Sequence, residues 1–144
     1  MTNYRPYSSG LEQLTLLGQE GPVPSELLDF IGGEETVRAA TEAFYKRVFA
    51  DETLRPFFET TDVDQLLARQ RMFLSMLLGG LTPYTGKDIG AAHRQAREQG
   101  LNDGHFDRFI RHFRDALKEV GVDPRKARQV IKLLESKRGT VLNP

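Results

Sequence analysis

Beyond residue 25 the chain places its apolar residues three and four apart, the period of helix faces packed on a core. No stretch alternates at period two for long enough to form a strand. Ser25 is placed to cap a short helix carrying Leu27, Leu28, Phe30 and Ile31, which Gly32 and Gly33 stop. Glu34 and Glu35 put negative charge at the start of a second helix, whose apolar face is Val37, Ala40, Phe44 and Val48. A turn-rich piece runs from Asp51 to the pair Phe57 and Phe58. Asp62 and Gln65 have the spacing of a capping box and open the strongest helix. Its apolar face is Val63, Leu66, Leu67, Phe73, Leu74, Leu77 and Leu78, and Gly79 and Gly80 end it. Residues 81–87, with Pro83 and Gly86, read as loop. A helix over residues 88–99 closes at Gly100. Asn102 caps the next, which carries Phe106, Phe109, Ile110, Phe113, Leu117 and Val120 to Gly121. Pro124 begins the last, with Ala127, Val130, Ile131 and Leu134. The expected fold class is all-α: an extension over residues 1–24 with one loosely docked helix, then one domain over 25–144.

Two of these helices depart from ordinary amphipathicity. The helix over 88–99 has Ile89 as its only large aliphatic residue, with Ala91, Ala92 and Ala96 around His93. Such a helix buries little apolar area and has little to hold it in place. It is either a surface helix with a solvated histidine or one anchored by a bond from His93 to a metal, and histidine is a common axial ligand to haem iron. The second departure is Gln70, four residues after Leu66 and three before Phe73 on the strongest apolar face. A buried amide without a partner costs about 1–3 kcal/mol, so Gln70 either bonds a backbone carbonyl at the bundle edge or faces a polar ligand. Tyr45 borders the apolar face of its own helix and carries a hydroxyl that needs a partner when buried. The aromatic set Phe44, Phe57, Phe58, Phe73, Phe106, Phe109 and Phe113 reads by pattern as core first. His105 and His112 fall on the more polar side of their helix and are expected to be solvated.

Composition narrows the function. The chain has 144 residues, one domain's worth, and its 20 basic and 20 acidic residues cancel. A neutral chain has no long-range field to gather phosphates, which argues against nucleic acid and anionic membrane as partners. The absence of cysteine removes disulfides, thiolate metal sites, covalent haem attachment through Cys-x-x-Cys-His and any cysteine nucleophile. No run approaches the ~20 apolar residues that span a bilayer, and residues 1–10 lack the features of a secretory signal. A soluble, cytoplasmic chain is the expectation.

Taken in order, the motifs resemble the group I truncated haemoglobins. These are Tyr45 within residues 43–48 (AFYKRV), residues 55–58 (RPFF), Gln70, Gly79-Gly80 before Tyr84-Thr85-Gly86, His93 after Ala91-Ala92, and Gly100-Leu101 followed by His105-Phe106-Asp107. The similarity runs from about Leu27 to residues 141–143. It implies a truncated globin-like two-over-two helical sandwich around haem b (iron protoporphyrin IX), with the glycine pairs keeping helices short. Under the resemblance His93 is the proximal iron ligand and Phe58 stacks on the haem. Tyr45 and Gln70 are the distal hydrogen-bonding pair, Leu66 stands at the distal gate, and Phe44, Phe73 and Phe106 line the cofactor. Arg69 occupies the place where some relatives carry a His or Lys that binds the iron. A guanidinium has no lone pair to give, so no endogenous distal nitrogen ligand is expected. Arg69 and Lys87 are candidates for the haem propionates. Residues 135–138 contain no His, so the covalent haem link of some cyanobacterial relatives is not expected.

The function so implied is reversible binding of oxygen, nitric oxide or other diatomic ligands, extending to oxygen transport and to nitric oxide detoxification by conversion to nitrate. Weak peroxidase activity is a further implication. Without a Gly-rich dinucleotide fingerprint or room for a reductase domain, turnover needs an external electron donor or reductase. The competing readings are an oxygen carrier or gas sensor without turnover, and a haem-free helical interaction module.

Overall fold

The computed structural model describes residues 27–79 and 86–144, with side chains from residue 89 onward in the second span. Residues 1–24, the Ser25 cap, residues 80–85 and the Lys87 side chain lie outside the described part. Among the described residues the regular structure is entirely helical. A short α1 (Leu27–Phe30) leads into α2 (Gly33–Phe49), a 3-10 helix (Arg55–Phe58) and α3 (Val63–Leu78). Then come α4 (Gly86–Ala92), α5 (Arg94–Glu98), α6 (Asp103–Glu119), α7 (Pro124–Glu135) and α8 (Arg138–Leu142).

The start signals read from sequence act as expected. The Asp62 side chain accepts the Gln65 backbone N–H and Pro124 opens α7, where a cap not read from the sequence, the Asp123 carboxylate, accepts the Arg125 N–H. Asn102 accepts from Gly104 and His105 while the His105 ring accepts the Asn102 backbone N–H, a reciprocal cap. His105 is therefore half-buried and engaged, its ring also edge-on to Phe57 at 5.0 Å, and not solvated as its helical position suggested. Gly32 and Gly33 both take positive φ, 119° and 80°, which lets α1 reverse directly into α2.

Three expectations change. The helix over 88–99 begins two residues earlier, at Gly86, and breaks at His93 into α4 and α5. Val63 points outward at 44% exposure, because the first turn of α3 overhangs the core. A further helix, α8, follows α7; its five residues are too few for a periodic signal.

Helix α2 packs on α3 and on α6, α6 packs on α7, and α4 lies against α8. The main core takes Val37 and Ala40 from α2, Leu74 and Leu78 from α3, Phe106, Ile110, Phe113 and Leu117 from α6, and Val130 and Ile131 from α7. A second, smaller cluster holds Tyr45, Val48, Leu54 and Leu66. Phe44 packs against both.

A Cβ at Gly32 would collide with Thr36 Oγ1, on a backbone that L-residues rarely adopt. Gly32→Ala is expected to lower unfolding stability by about 1–3 kcal/mol, measured by urea denaturation. An unchanged midpoint would contradict this reading of the α1–α2 corner.

Candidate functional site

The break between α4 and α5 presents the histidine. At His93 the backbone leaves the helical region (φ −105°, ψ 9°), and its N–H donates to the Gly90 carbonyl at 3.2 Å. The ring is half-buried, with Nδ1 2.9 Å from the Ile89 carbonyl oxygen. A carbonyl only accepts, so Nδ1 carries the proton and Nε2 of the neutral ring keeps its lone pair. Nε2 has no hydrogen-bond partner among the described residues. A backbone acceptor fixing one ring nitrogen while the other stays open is how metal-ligating histidines are oriented.

Tyr45 is the second component. It sits inside α2 at 6% exposure, with its ring 4.7 Å from that of Phe44, 5.7 Å from Phe49 and 6.0 Å from Phe58. Its hydroxyl has no hydrogen-bond partner among the described residues. Burial pushes the phenol well above its ordinary pKa, and the positive charge of Arg69 pulls it only partly back. The hydroxyl thus stays protonated, a donor without an acceptor, which is costly unless something else occupies the site.

The remaining candidates divide. Leu66 is buried in the cluster with Tyr45, and Phe58 packs on it from the 3-10 helix, its ring 6.2 Å from Phe109. Gln70 follows one turn after Leu66 on α3, half-buried and without a side-chain partner among the described residues. Arg69 beside it is exposed. Phe73 packs against the main core. Phe106 lies inside that core with the Arg138 guanidinium 4.6 Å over its ring. The structure therefore brings Phe44, Tyr45, Phe58 and Leu66 together and carries Phe73 and Phe106 on the other cluster.

The phenylalanines test whether haem fits. Seven of the nine are only half-buried; Phe106 and Phe113 alone are buried. A core closed by side chains would sink such residues. Half-buried aromatic rings on both clusters, a fixed imidazole nitrogen and a buried phenol unpaired among the described residues suit a flat apolar macrocycle carrying a metal and a small polar ligand. Among the described residues no group of three or more His, Cys, Asp or Glu side chains is arranged to hold a bare ion.

One cluster was missed. Asp51, just past α2, is buried and accepts from Arg108 Nε at 2.9 Å and Nη2 at 3.1 Å, from the Thr53 backbone N–H at 2.9 Å, and lies 2.7 Å from His112 Nε2. His112 is thus tied to the corner before the 3-10 helix and is not solvated. The signal was available: Arg108 and His112 are four apart on one face of α6. Hydrogen bonding from Arg108, joined by His112 and Thr53 and opposed by burial, holds the Asp51 carboxyl well below the usual carboxylate range. A lowered folded pKa contributes stability that is complete above the unfolded value of about 3.9 and is lost as pH falls toward the folded one. Urea unfolding from about pH 6 to pH 3 should show this loss, and Asp51→Asn should flatten the slope; identical slopes would contradict the cluster's role.

Comparison with known proteins gives a consistent set of matches. The family pattern described as bacterial-like globin matches residues 26–143. The group 1 truncated hemoglobin of Tetrahymena pyriformis is 39% identical over 119 residues, covering 83% of this chain and 96% of that protein. The group 1 truncated hemoglobin LI410 of Chlamydomonas moewusii is 38% identical over 120 residues, covering 83% and 70% respectively. Among solved structures, the Fe(III) form of the Tetrahymena pyriformis truncated hemoglobin superposes with a TM-score of 0.72 at 37% identity, covering 82% of this chain and 98% of that one. The 2/2 hemoglobin of Synechococcus sp. PCC 7002, in the cyanomet state with covalently attached heme, gives 0.75 at 32% identity, with the same coverage.

Proposed function

The chain belongs to the bacterial-like globins, with the group 1 truncated haemoglobins as its relatives and their two-over-two fold, and from that premise we propose that His93 Nε2 is the axial ligand of its haem b, with Tyr45 and Gln70 facing the opposite side. Haem b is the cofactor of this family and diatomic ligand binding its shared property. When bound, haem b would supply the iron that takes up a diatomic ligand.

The observation that carries the reading is the His93 ring. Its Nδ1–H is held by Ile89, which fixes the tautomer, aims the open nitrogen and raises its basicity as a ligand. The Tyr45 hydroxyl, desolvated and without a hydrogen-bond partner among the described residues, would donate to a small ligand that carries partial negative charge. Gln70 steadies the Tyr45 hydroxyl or donates beside it. Leu66 offers no hydrogen bond and keeps water from the site. Phe58, with Phe44, Phe73 and Phe106, provides apolar contact for the macrocycle, and Arg69 and Lys87 supply cations for its propionates. No side-chain nitrogen at position 69 competes for the iron.

The same donors suit nitric oxide removal: nitric oxide, dioxygen and one electron give nitrate, with the electron drawn from an external reductase. Nitrate formed in step with nitric oxide consumed under a continuous reductant supports turnover; bound oxygen exchanged without nitrate makes the protein a carrier or sensor.

Purified His93→Ala should lose the Soret band of the parent protein at equal helicity, and an unchanged Soret band would contradict axial ligation by His93. Tyr45→Phe removes one charge-assisted hydrogen bond, of about 1.5–3 kcal/mol, and should speed oxygen dissociation about 10- to 100-fold. An unchanged off-rate by flash photolysis or stopped flow would count against Tyr45 as donor.

A further inference from the structure

Helix α4 is short and carries one buried aliphatic residue, Ile89, so its hold on the rest of the molecule comes from elsewhere. Arg97, on α5, reaches back across the His93 break. Its Nη1 lies 2.7 Å from the Gly90 carbonyl oxygen and 2.9 Å from that of Val141 on α8. One guanidinium nitrogen carries two protons, so it donates to both carbonyls at once. The Gly90 carbonyl is also the acceptor of the His93 backbone N–H. A continuous set of hydrogen bonds therefore runs from the C-terminal helix through Arg97 and the Gly90 peptide to the backbone of His93, while the neighbouring Ile89 carbonyl holds the ring.

The packing beneath this clamp is equally tight. Gly90 is buried, and a Cβ there would fall 2.5 Å from Pro144 Cβ and 3.3 Å from the Thr140 carbonyl oxygen. The close approach of α4 to α8 thus requires glycine, and it brings the Gly90 and Val141 carbonyls within reach of a single side chain. Arg94, three residues earlier on α5, offers a contrast: it is exposed and bonds only Glu98 among the described residues.

We infer that Arg97 is a positioning residue for the iron ligand, clamping the His93 segment to the C-terminal helix and so setting the direction and strength of the bond from His93 Nε2. The inference rests on His93 as axial ligand. The arginine touches neither iron nor macrocycle and acts through the Gly90 peptide. Its place could not be taken by an apolar residue of equal length, because two carbonyls facing each other across a close contact need a shared donor. C-terminal truncation and Arg97 substitution should accordingly have the same spectroscopic effect.

The test uses the full-length haem-loaded protein. The iron–histidine stretching band of the ferrous, ligand-free form is recorded by resonance Raman spectroscopy, and haem loss is timed by transfer to an excess of a haem-scavenging apoglobin. Arg97→Met should broaden or lower the band and speed haem loss about tenfold, Arg97→Lys should restore part of both, and Arg94→Met should change neither. Gly90→Ala, which drives α4 off α8, should shift the band in the same direction, and it decides the matter should Arg97→Met not fold. A band and loss rate unchanged in Arg97→Met, or changed as much by Arg94→Met, would overturn the proposal. A parent protein without an iron–histidine band would overturn it through its premise, and His93→Ala with its Soret band intact marks that separate failure.

Discussion

The hydrogen bond from the His93 ring to the Ile89 carbonyl is the constraint on which the site depends. An imidazole free to rotate offers either nitrogen in any direction, whereas one anchored at Nδ1 offers a single lone pair along a fixed line. The helix breaks at the same residue: there the His93 backbone N–H bonds the Gly90 carbonyl while the ring bonds the carbonyl of residue 89. The segment then needs outside support, since its alanines bury little, and the Gly90 carbonyl that accepts the His93 backbone N–H is itself held by Arg97 of α5, which also bonds the Val141 carbonyl of α8. Weak packing and strong backbone hydrogen bonding are two sides of one design: small residues admit close neighbours, and polar clamps replace the lost contact area.

Around Tyr45 the same economy appears in reverse. Tyr45 is surrounded by phenylalanine rings and its hydroxyl has no partner among the described residues, a loss that packing must offset. The corner that brings Phe58 to Tyr45 is fastened by Asp51 to Arg108 and His112, so a polar knot at the edge keeps an apolar wall in place. Under the proposed reading, the iron ligand and the ligand donor are each positioned by groups that take no part in the chemistry. Half-buried aromatics flank each cluster, as suits a fold whose core includes a cofactor.

Much of this was legible in the sequence, for reasons that differ by element. Helix starts at Asp62, Asn102 and Pro124 follow from local cap and first-turn chemistry, which needs no tertiary information. The long amphipathic faces of α3, α6 and α7 announce themselves by period. His93 and Tyr45 stood out because each broke that pattern, and Gln70 did so by lying half-buried on an apolar face. What escaped were features set by contacts distant in sequence. The kink at His93 depends on backbone bonding that a helical period cannot register. Asp51 meets Arg108 and His112 across 57 and 61 residues, and Arg97 meets Val141 across 44. Val63 joined the apolar face by spacing yet lies beyond the core's edge. The assignment of Phe73 and Phe106 to the cofactor rests on family likeness alone.

The most direct measurement is a crystal structure of the reduced, haem-loaded protein. His93 Nε2 should lie at bonding distance from the iron, with Nδ1 still on the Ile89 carbonyl and the Tyr45 hydroxyl turned toward the opposite face. An iron held by any other side chain, or a His93 ring directed into solvent, would contradict the reading of this chain as a globin with its proximal ligand at position 93.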